Sequence, residues 1–405
     1  MLTFFIKNNL TGLNMTLPLK GIKILDFTTL LPGPYATQLL ADMGAEVLRV
    51  ESPTRPDLIK FMPPILDSVS AAHASVNRNK QCIAIDLKHS DSKEIIHKLL
   101  EEYDIVIEQF RPGVMKRLGL DYETLKQFQS KLIYCSITGY GQTGPLKDRA
   151  GHDINYLALS GIASFSGRKN GGPVLSGTQI ADIAGGSHHA VMAIQAAIIQ
   201  RSVSDEGQYL DISMSDAALA LSTMFGAGAL SSGESPECGS EMLNGGLFYD
   251  YYQTADDRYL SVGSLEPVFA NKLLNALSMI DWMPKLANQN PEVQIEVRNK
   301  LSEVFKQQTL DYWVTLFEPL DACVEPVLTL QETFAHAHFL ERGMITEALD
   351  AKGRSIKQIN SALPFKSKTS HIAGKSLGAD TAEVLSDLGY DAATIATLTK
   401  SKCIK

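Results

Sequence analysis

Three short segments of this 405-residue chain carry residue types suited to moving protons. The first is Gly151-His152-Asp153-Ile154-Asn155-Tyr156, where a histidine ends a glycine-punctuated loop at the expected start of a helix. The free N–H groups and positive dipole end of such a helix favour a neutral imidazole and can face an anion. The second runs from Gln179 through Asp182 to Gly185-Gly186-Ser187. Asp182 ends an apolar run ahead of a long helix, a place where aspartate is also an ordinary N-cap. Two glycines at a helix start cost roughly 1 kcal/mol each; the pair makes sense where something bulky lies against the backbone. The third is Glu266-Pro267, with the proline suited to a first helical turn and the glutamate to its cap. Taken singly, each reads more readily as a cap or packing residue than as a catalyst.

Other signals exclude whole classes. Gly139-Tyr-Gly141-Gln-Thr-Gly144 matches GxGxxG after a strand, but Pro145, Lys147, Asp148 and Arg149 continue as loop. No helix opens to meet a pyrophosphate, so a tight turn that lets the backbone approach something else is expected there. His188-His189 and His336-Ala-His338 lack partners at ligand spacing, so no metal site is expected. The five cysteines are scattered without a CxxC pair, which fits a reducing cytoplasm. A net charge of −8 disfavours nucleic acid as a partner. No apolar run approaches the roughly 20 residues of a membrane span. Residues 1–14 read as a ragged extension with no clear targeting signal.

The elements that must position these segments alternate strand and helix in the first third. Lys23 to Phe27, Glu46 to Glu51, Ile83 to Leu87, Ile105 to Ile107 and Leu132 to Thr138 read as strands. Between them, Pro32-Gly33-Pro34 breaks the chain before a helix from about Tyr35, and Asp91 to Tyr103 is amphipathic. That alternation predicts an α/β fold, with a large Rossmann-like parallel-sheet domain over 15–225. A Gly/Ser-rich linker is expected at 226–247, then a smaller α+β domain over 248–334, with strands Phe248–Gln253 and Tyr259–Val262 turning at Asp256-Asp257. The tail from about Arg342 reads as polar and loop-like up to a last helix near Ala382 to Leu388.

The three segments, in this order, resemble the class III CoA-transferase superfamily, nearest its α-methylacyl-CoA racemase branch. The resemblance covers Leu19 to about Arg342. Its landmarks include Leu31-Pro-Gly-Pro34, Ala41-Asp-Met-Gly-Ala-Glu46, Asp86-Leu-Lys88, Phe110-Arg-Pro-Gly113, Gly151 to Tyr156 and Asp321-Ala-Cys-Val-Glu-Pro-Val327. It implies His152 and Asp182 as two catalytic bases, with Glu266 partnering the histidine. It implies coenzyme A contacts at Ile85, Asp86, Leu87, Lys88, Gln109, Phe110, Arg111, Arg117, Gly151, Asp153, Ile154, Asn155 and Tyr156. It also implies an interlocked homodimer, with Glu266 of the second chain completing the first chain's site and 335–405 returning to the large domain. One landmark departs: an arginine that helps hold coenzyme A in the racemases is Ser52 here, with Arg49 and Arg55 nearby.

The chemistry so implied is transfer of the α-proton of an acyl-CoA thioester through an enolate, which calls for no metal or redox cofactor. The Asp153 N–H is expected as one enolate donor. The rival readings are a CoA-transferase with Asp182 as nucleophile, and a non-catalytic acyl-CoA binder.

Overall fold

The computed structural model describes residues 17–67, 69–239, 241–286, 290–365 and 370–405, so the reading of residues 1–14 lies outside it. The chain divides into two compact units. One comprises Met1–Tyr156, Thr178–Leu221 and Glu341–Lys405; the other comprises Leu157–Gly177 and Ser222–Leu340. Two boundaries differ from the sequence reading. Residues 157–177 group with the second unit, and the start of the expected linker, 226–232, belongs to the helix Thr223–Ser232. Ala227, Ala229 and Leu230 are strong helix formers and outweigh Gly226 and Gly228 there.

The first unit is built on six parallel strands: β1 (Lys23–Asp26), β2 (Glu46–Glu51), β3 (Lys80–Ala84), β4 (Ile105–Glu108), β5 (Ile133–Thr138) and β6 (Gln208–Ser213). Their order is β3-β2-β1-β4-β5-β6. The order reverses between β1 and β4, and ligands of such sheets bind at the carboxyl ends beside that reversal. β4 and β5 are buried throughout, as strands covered on both faces must be. β6 escapes a sequence reading because it is an edge strand with alternately exposed residues.

Helix Pro32–Asp42 starts at Pro32 itself, so the Pro-Gly-Pro expected to break the chain is its first turn. Prolines are compatible with that turn because its N–H groups have no intrahelical partner. The Gly33 N–H donates instead to Gln109 Oε1 at 2.9 Å, tying the helix to the end of β4.

Residues 341–405 are more ordered than their polarity implied. Ile345–Leu349 and Ser355–Ile359 form a hairpin, and helices Thr381–Asp387 and Ala392–Lys400 follow. The hairpin turn is made by Asp350, whose carboxylate accepts the Lys352 and Arg354 N–H groups, and by Gly353 at positive φ. Asp380 and Thr381 side chains accept the Cys82 and Ala84 N–H groups of β3 at 2.7 and 3.1 Å. Leu385, Leu398 and Ile404 join the core of Leu25, Leu48 and Ile83.

The second unit carries an antiparallel sheet of Asp250–Gln253, Tyr259–Val262 and Val324–Pro326, with Asp257 at positive φ in the expected turn. One sheet face packs Tyr252, Leu260 and Val262 against Leu273, Phe305 and Trp313 from helices Pro267–Ala276, Pro291–Phe305 and Leu310–Phe317.

Candidate active site

The loop after β5 runs from Gly139 to His152 without a helix, and helix Asp153–Leu159 begins immediately after it. What the glycine-rich turn lets close is Tyr156. A Cβ at Gly139 or Gly151 would lie 2.6 or 2.7 Å from its ring, and the Tyr156 hydroxyl donates to the Gly151 carbonyl at 2.6 Å. This buried tyrosine pins both ends of the loop. His152 follows Gly151 as the residue before the helix. Its N–H donates to Asn155 Oδ1 at 3.0 Å, and its carbonyl accepts from the Asn155 N–H at 2.8 Å. The backbone and Asn155 thus do the capping, and the imidazole is left exposed.

Asp182 is not an N-cap. It lies inside the first turn of a wide, π-helical segment, Ala181–His188, that continues as helix His189–Ser204. Such segments recur at functional sites. Its own N–H donates to Asp153 Oδ1 at 3.0 Å, so the turn bearing Asp182 and the helix start next to His152 are bonded directly. Among the described residues its carboxylate makes no hydrogen bond. Burial pushes that carboxyl up to about 6, with the nearby Asp153 charge adding to the rise and His152 opposing it. An acid poised there is available in both protonation states near neutrality.

The Gly185-Gly186 pair serves packing inside the protein rather than a bulky ligand. A Cβ at Gly185 would stand 3.1 Å from the Met214 carbonyl oxygen, and one at Gly186 3.0 Å from Pro32 Cβ. Ser187 Oγ adds a hydrogen bond to the Pro32 carbonyl at 2.6 Å. The glycines bring the Asp182 segment close to helix Pro32–Asp42 and to the end of β6.

Asp153 therefore both holds the Asp182 backbone and raises its carboxyl. Asp153→Asn keeps an acceptor for the Asp182 N–H but removes the charge. The acid limb of a kcat/KM profile governed by Asp182 is then expected to move to lower pH, with the fold intact by circular dichroism. An unmoved limb would show that Asp153 does not act on Asp182.

The residues expected to hold coenzyme A occupy varied settings. The Ile85 side chain is fully buried in the core, leaving only its backbone for contact. The Asp86 carboxylate accepts the Lys88 N–H at 3.1 Å, and Leu87 packs against the core. Lys88, Arg111 and Arg117 are exposed, without ion-pair partners among the described residues. Arg49 is unavailable. It is buried and bonded to Glu51, to Asp57 at 2.5 Å and to His73 at 3.2 Å. The exposed Arg55 is the cation left beside Ser52, whose Oγ accepts the Arg55 N–H at 3.2 Å.

A residue missed by sequence reading is Glu108, the last of β4. It is 3% exposed and accepts the Phe110 N–H at 2.7 Å, shaping the bend that presents Arg111. Both Glu108 and Arg111 line a cleft of about 230 Å³ with Ser136 and Tyr209. Burial pushes the Glu108 carboxyl up to about 7; Ser136 and the Phe110 N–H act against the rise, and Asp211 adds to it. The signal was an acid ending the apolar run Ile105-Val-Ile.

Glu266 belongs to the second unit. It precedes helix Pro267–Ala276 with its side chain uncommitted to capping, and its charge acts on the Cys323 thiol. No group of three or more His, Cys, Asp or Glu side chains able to hold a metal occurs among the described residues. No described helix is long and apolar enough to cross a membrane.

The six-stranded parallel sheet of the first unit has a Rossmann-like order, and residues 19–381 match CoA-transferase family III: the chain belongs to that family. It is 33% identical to human alpha-methylacyl-CoA racemase over 96% of this chain and 97% of the relative. It is also 33% identical to human succinyl-CoA:glutarate CoA-transferase, over 83% of this chain and 78% of the relative. A crystal structure of a CAIB/BAIF family protein from Brucella suis superposes with a TM-score of 0.81 at 28% identity, covering 92% of this chain and all of that one.

Proposed function

We propose that the protein is an isomerase that interconverts (R)- and (S)-2-methylacyl-CoA thioesters, with His152 and Asp182 as the acid–base pair. The observation that carries this reading is the Asp182 N–H bond to Asp153, which joins the two segments that bear the pair. Removing the α-proton builds negative charge on the thioester oxygen. One group takes the proton from one face, and the other returns a proton to the opposite face; the roles swap with the hand of the substrate. Asp153, first in its helix, offers an N–H that the helix does not use, suited to the enolate oxygen. Glu266 orients the imidazole. The net reaction is proton exchange, so it needs no redox cofactor and no metal. Lys88, Arg111, Arg117 and Arg55 supply the cations that the phosphates of coenzyme A require.

The working form is a homodimer, with Glu266 supplied by the second copy. Two apolar surfaces support this. Helix His189–Ser204 exposes Met192, Ile199 and Val203 at spacings that share one face, and helix Thr223–Ser232 exposes Met224 and Leu230. Exposed apolar side chains grouped on helices in this way mark association surfaces.

A CoA-transferase is the second reading, favoured by the unbonded Asp182 carboxylate, which also suits a nucleophile forming an acyl anhydride. Proton NMR of (S)-2-methylacyl-CoA in deuterated water separates the two. Deuterium entering the α-position with no acceptor acid present supports the racemase. No α-exchange, with hydroxylamine trapping at Asp182 during acyl-CoA turnover, supports the transferase.

A further inference from the structure

The second unit contains a cavity of about 850 Å³ lined by residues of its sheet, of helix Pro291–Phe305 and of the segments around Lys169 and Gly245. Its walls are largely apolar, with Val174, Leu243, Tyr251 and Ile295 among them. Three cations, Arg168, Lys169 and Arg298, face two carboxylates, Asp250 and Glu325. Arg168 and Arg298 both converge on Asp250, and Arg298 also donates to the Gly245 carbonyl. The Lys169 ammonium has no partner among the described residues, so the lining carries one positive charge in excess. Gly263 and Cys323 also line the cavity and are bonded to each other through the Gly263 N–H and the Cys323 carbonyl at 2.8 Å. Glu266 lies three residues beyond Gly263, and its charge acts on Cys323. The cavity therefore opens beside the residue that the racemase reading assigns to the imidazole.

We infer that this cavity takes the distal part of the acyl chain, and that the preferred substrates are large 2-methylacyl-CoA thioesters whose far end carries a carboxylate; the assignment rests on the racemase reading. An apolar wall with one uncompensated ammonium fits a long chain ending in an anion. A charge-assisted contact at the mouth of an apolar cavity discriminates against a partner that lacks the anion.

The test compares 2-methylhexadecanoyl-CoA, its ω-carboxyl counterpart and 2-methylbutanoyl-CoA. Dissociation constants are measured with non-reactive thioether analogues, and kcat/KM by α-deuterium exchange. The unaltered protein is expected to favour the ω-carboxyl compound over its methyl-ended twin about tenfold. Lys169→Gln should erase that preference and leave the methyl-ended compound within about twofold. Val174→Trp, which fills the cavity from an exposed loop, should weaken both long compounds about tenfold and spare 2-methylbutanoyl-CoA. Equal affinity for the two long compounds in the unaltered protein would overturn the assignment. So would a Lys169→Gln effect that ignores the chain end, or a Val174→Trp effect seen only in the mass of the assembly. Analogue selectivity without α-exchange would instead locate the failure in the racemase reading and leave the cavity's ligand class standing.

Discussion

Asp182→Asn is expected to lower racemisation by about 10²–10⁴-fold, the usual share of one positioned acid–base group. The fold should survive, because the Asp182 carboxylate makes no hydrogen bond among the described residues and its N–H bond to Asp153 stays available. A sharper outcome follows from having a separate group on each face. His152 can still exchange the α-proton on its own side, so one enantiomer should continue to take up solvent deuterium without inverting. His152→Ala should show the mirror result, with exchange confined to the other enantiomer. The readout is α-proton loss from each pure enantiomer, followed by proton NMR in deuterated water. If both variants lose exchange from both enantiomers equally, the two residues do not divide the faces between them, and one of them has another task.

Glu108→Gln should change how stability depends on pH by about 3 kcal/mol. The Glu108 carboxyl sits at about 7 in the folded protein against an ordinary 4.5. The folded state therefore holds a proton that the unfolded chain releases. Its stabilising share is complete below about pH 4.5 and is lost as pH rises through 7. Glutamine keeps the acceptor for the Phe110 N–H but never charges. The variant should match the parent near pH 5 and surpass it near pH 9, as measured by urea midpoints of the transition that reports on the first unit. Parallel curves across that range would mean that Glu108 is not held neutral.

The first-unit strands were readable because buried parallel strands are short, apolar and separated by helices; β1, β2 and β5 fall within one or two residues of their expected bounds. β6 was not readable, since an edge strand exposes every second residue. His152 and Asp182 were legible as chemistry-bearing types, but what ties their segments together was not. It is a bond between Asp153 and the Asp182 backbone, 29 residues apart, which no local pattern encodes. Gly185-Gly186 pointed to close approach correctly and to the wrong neighbour: local sequence marks where space is needed, not what fills it. Arg49 illustrates the converse. A cation near an expected phosphate site looks available until burial beside Glu51 and Asp57 removes it. The hairpin Ile345–Leu349 and Ser355–Ile359 was hidden because its strands mix apolar with charged residues.

The stitching of β3 to Asp380 and Thr381 has a temporal consequence. Cys82 leaves the ribosome 298 residues ahead of the aspartate that accepts its N–H. At cellular synthesis rates that interval is roughly 15–60 s, during which the nascent sheet has an unprotected margin. The second unit, whose last residue is Leu340, can mature during the delay. Nascent chains arrested near residue 380, with the second unit clear of the ribosome and Asp380 and Thr381 still held back, should then resist protease over the second unit and remain cleavable over the first. Resistance of both would show that the sheet closes without its late-arriving partners.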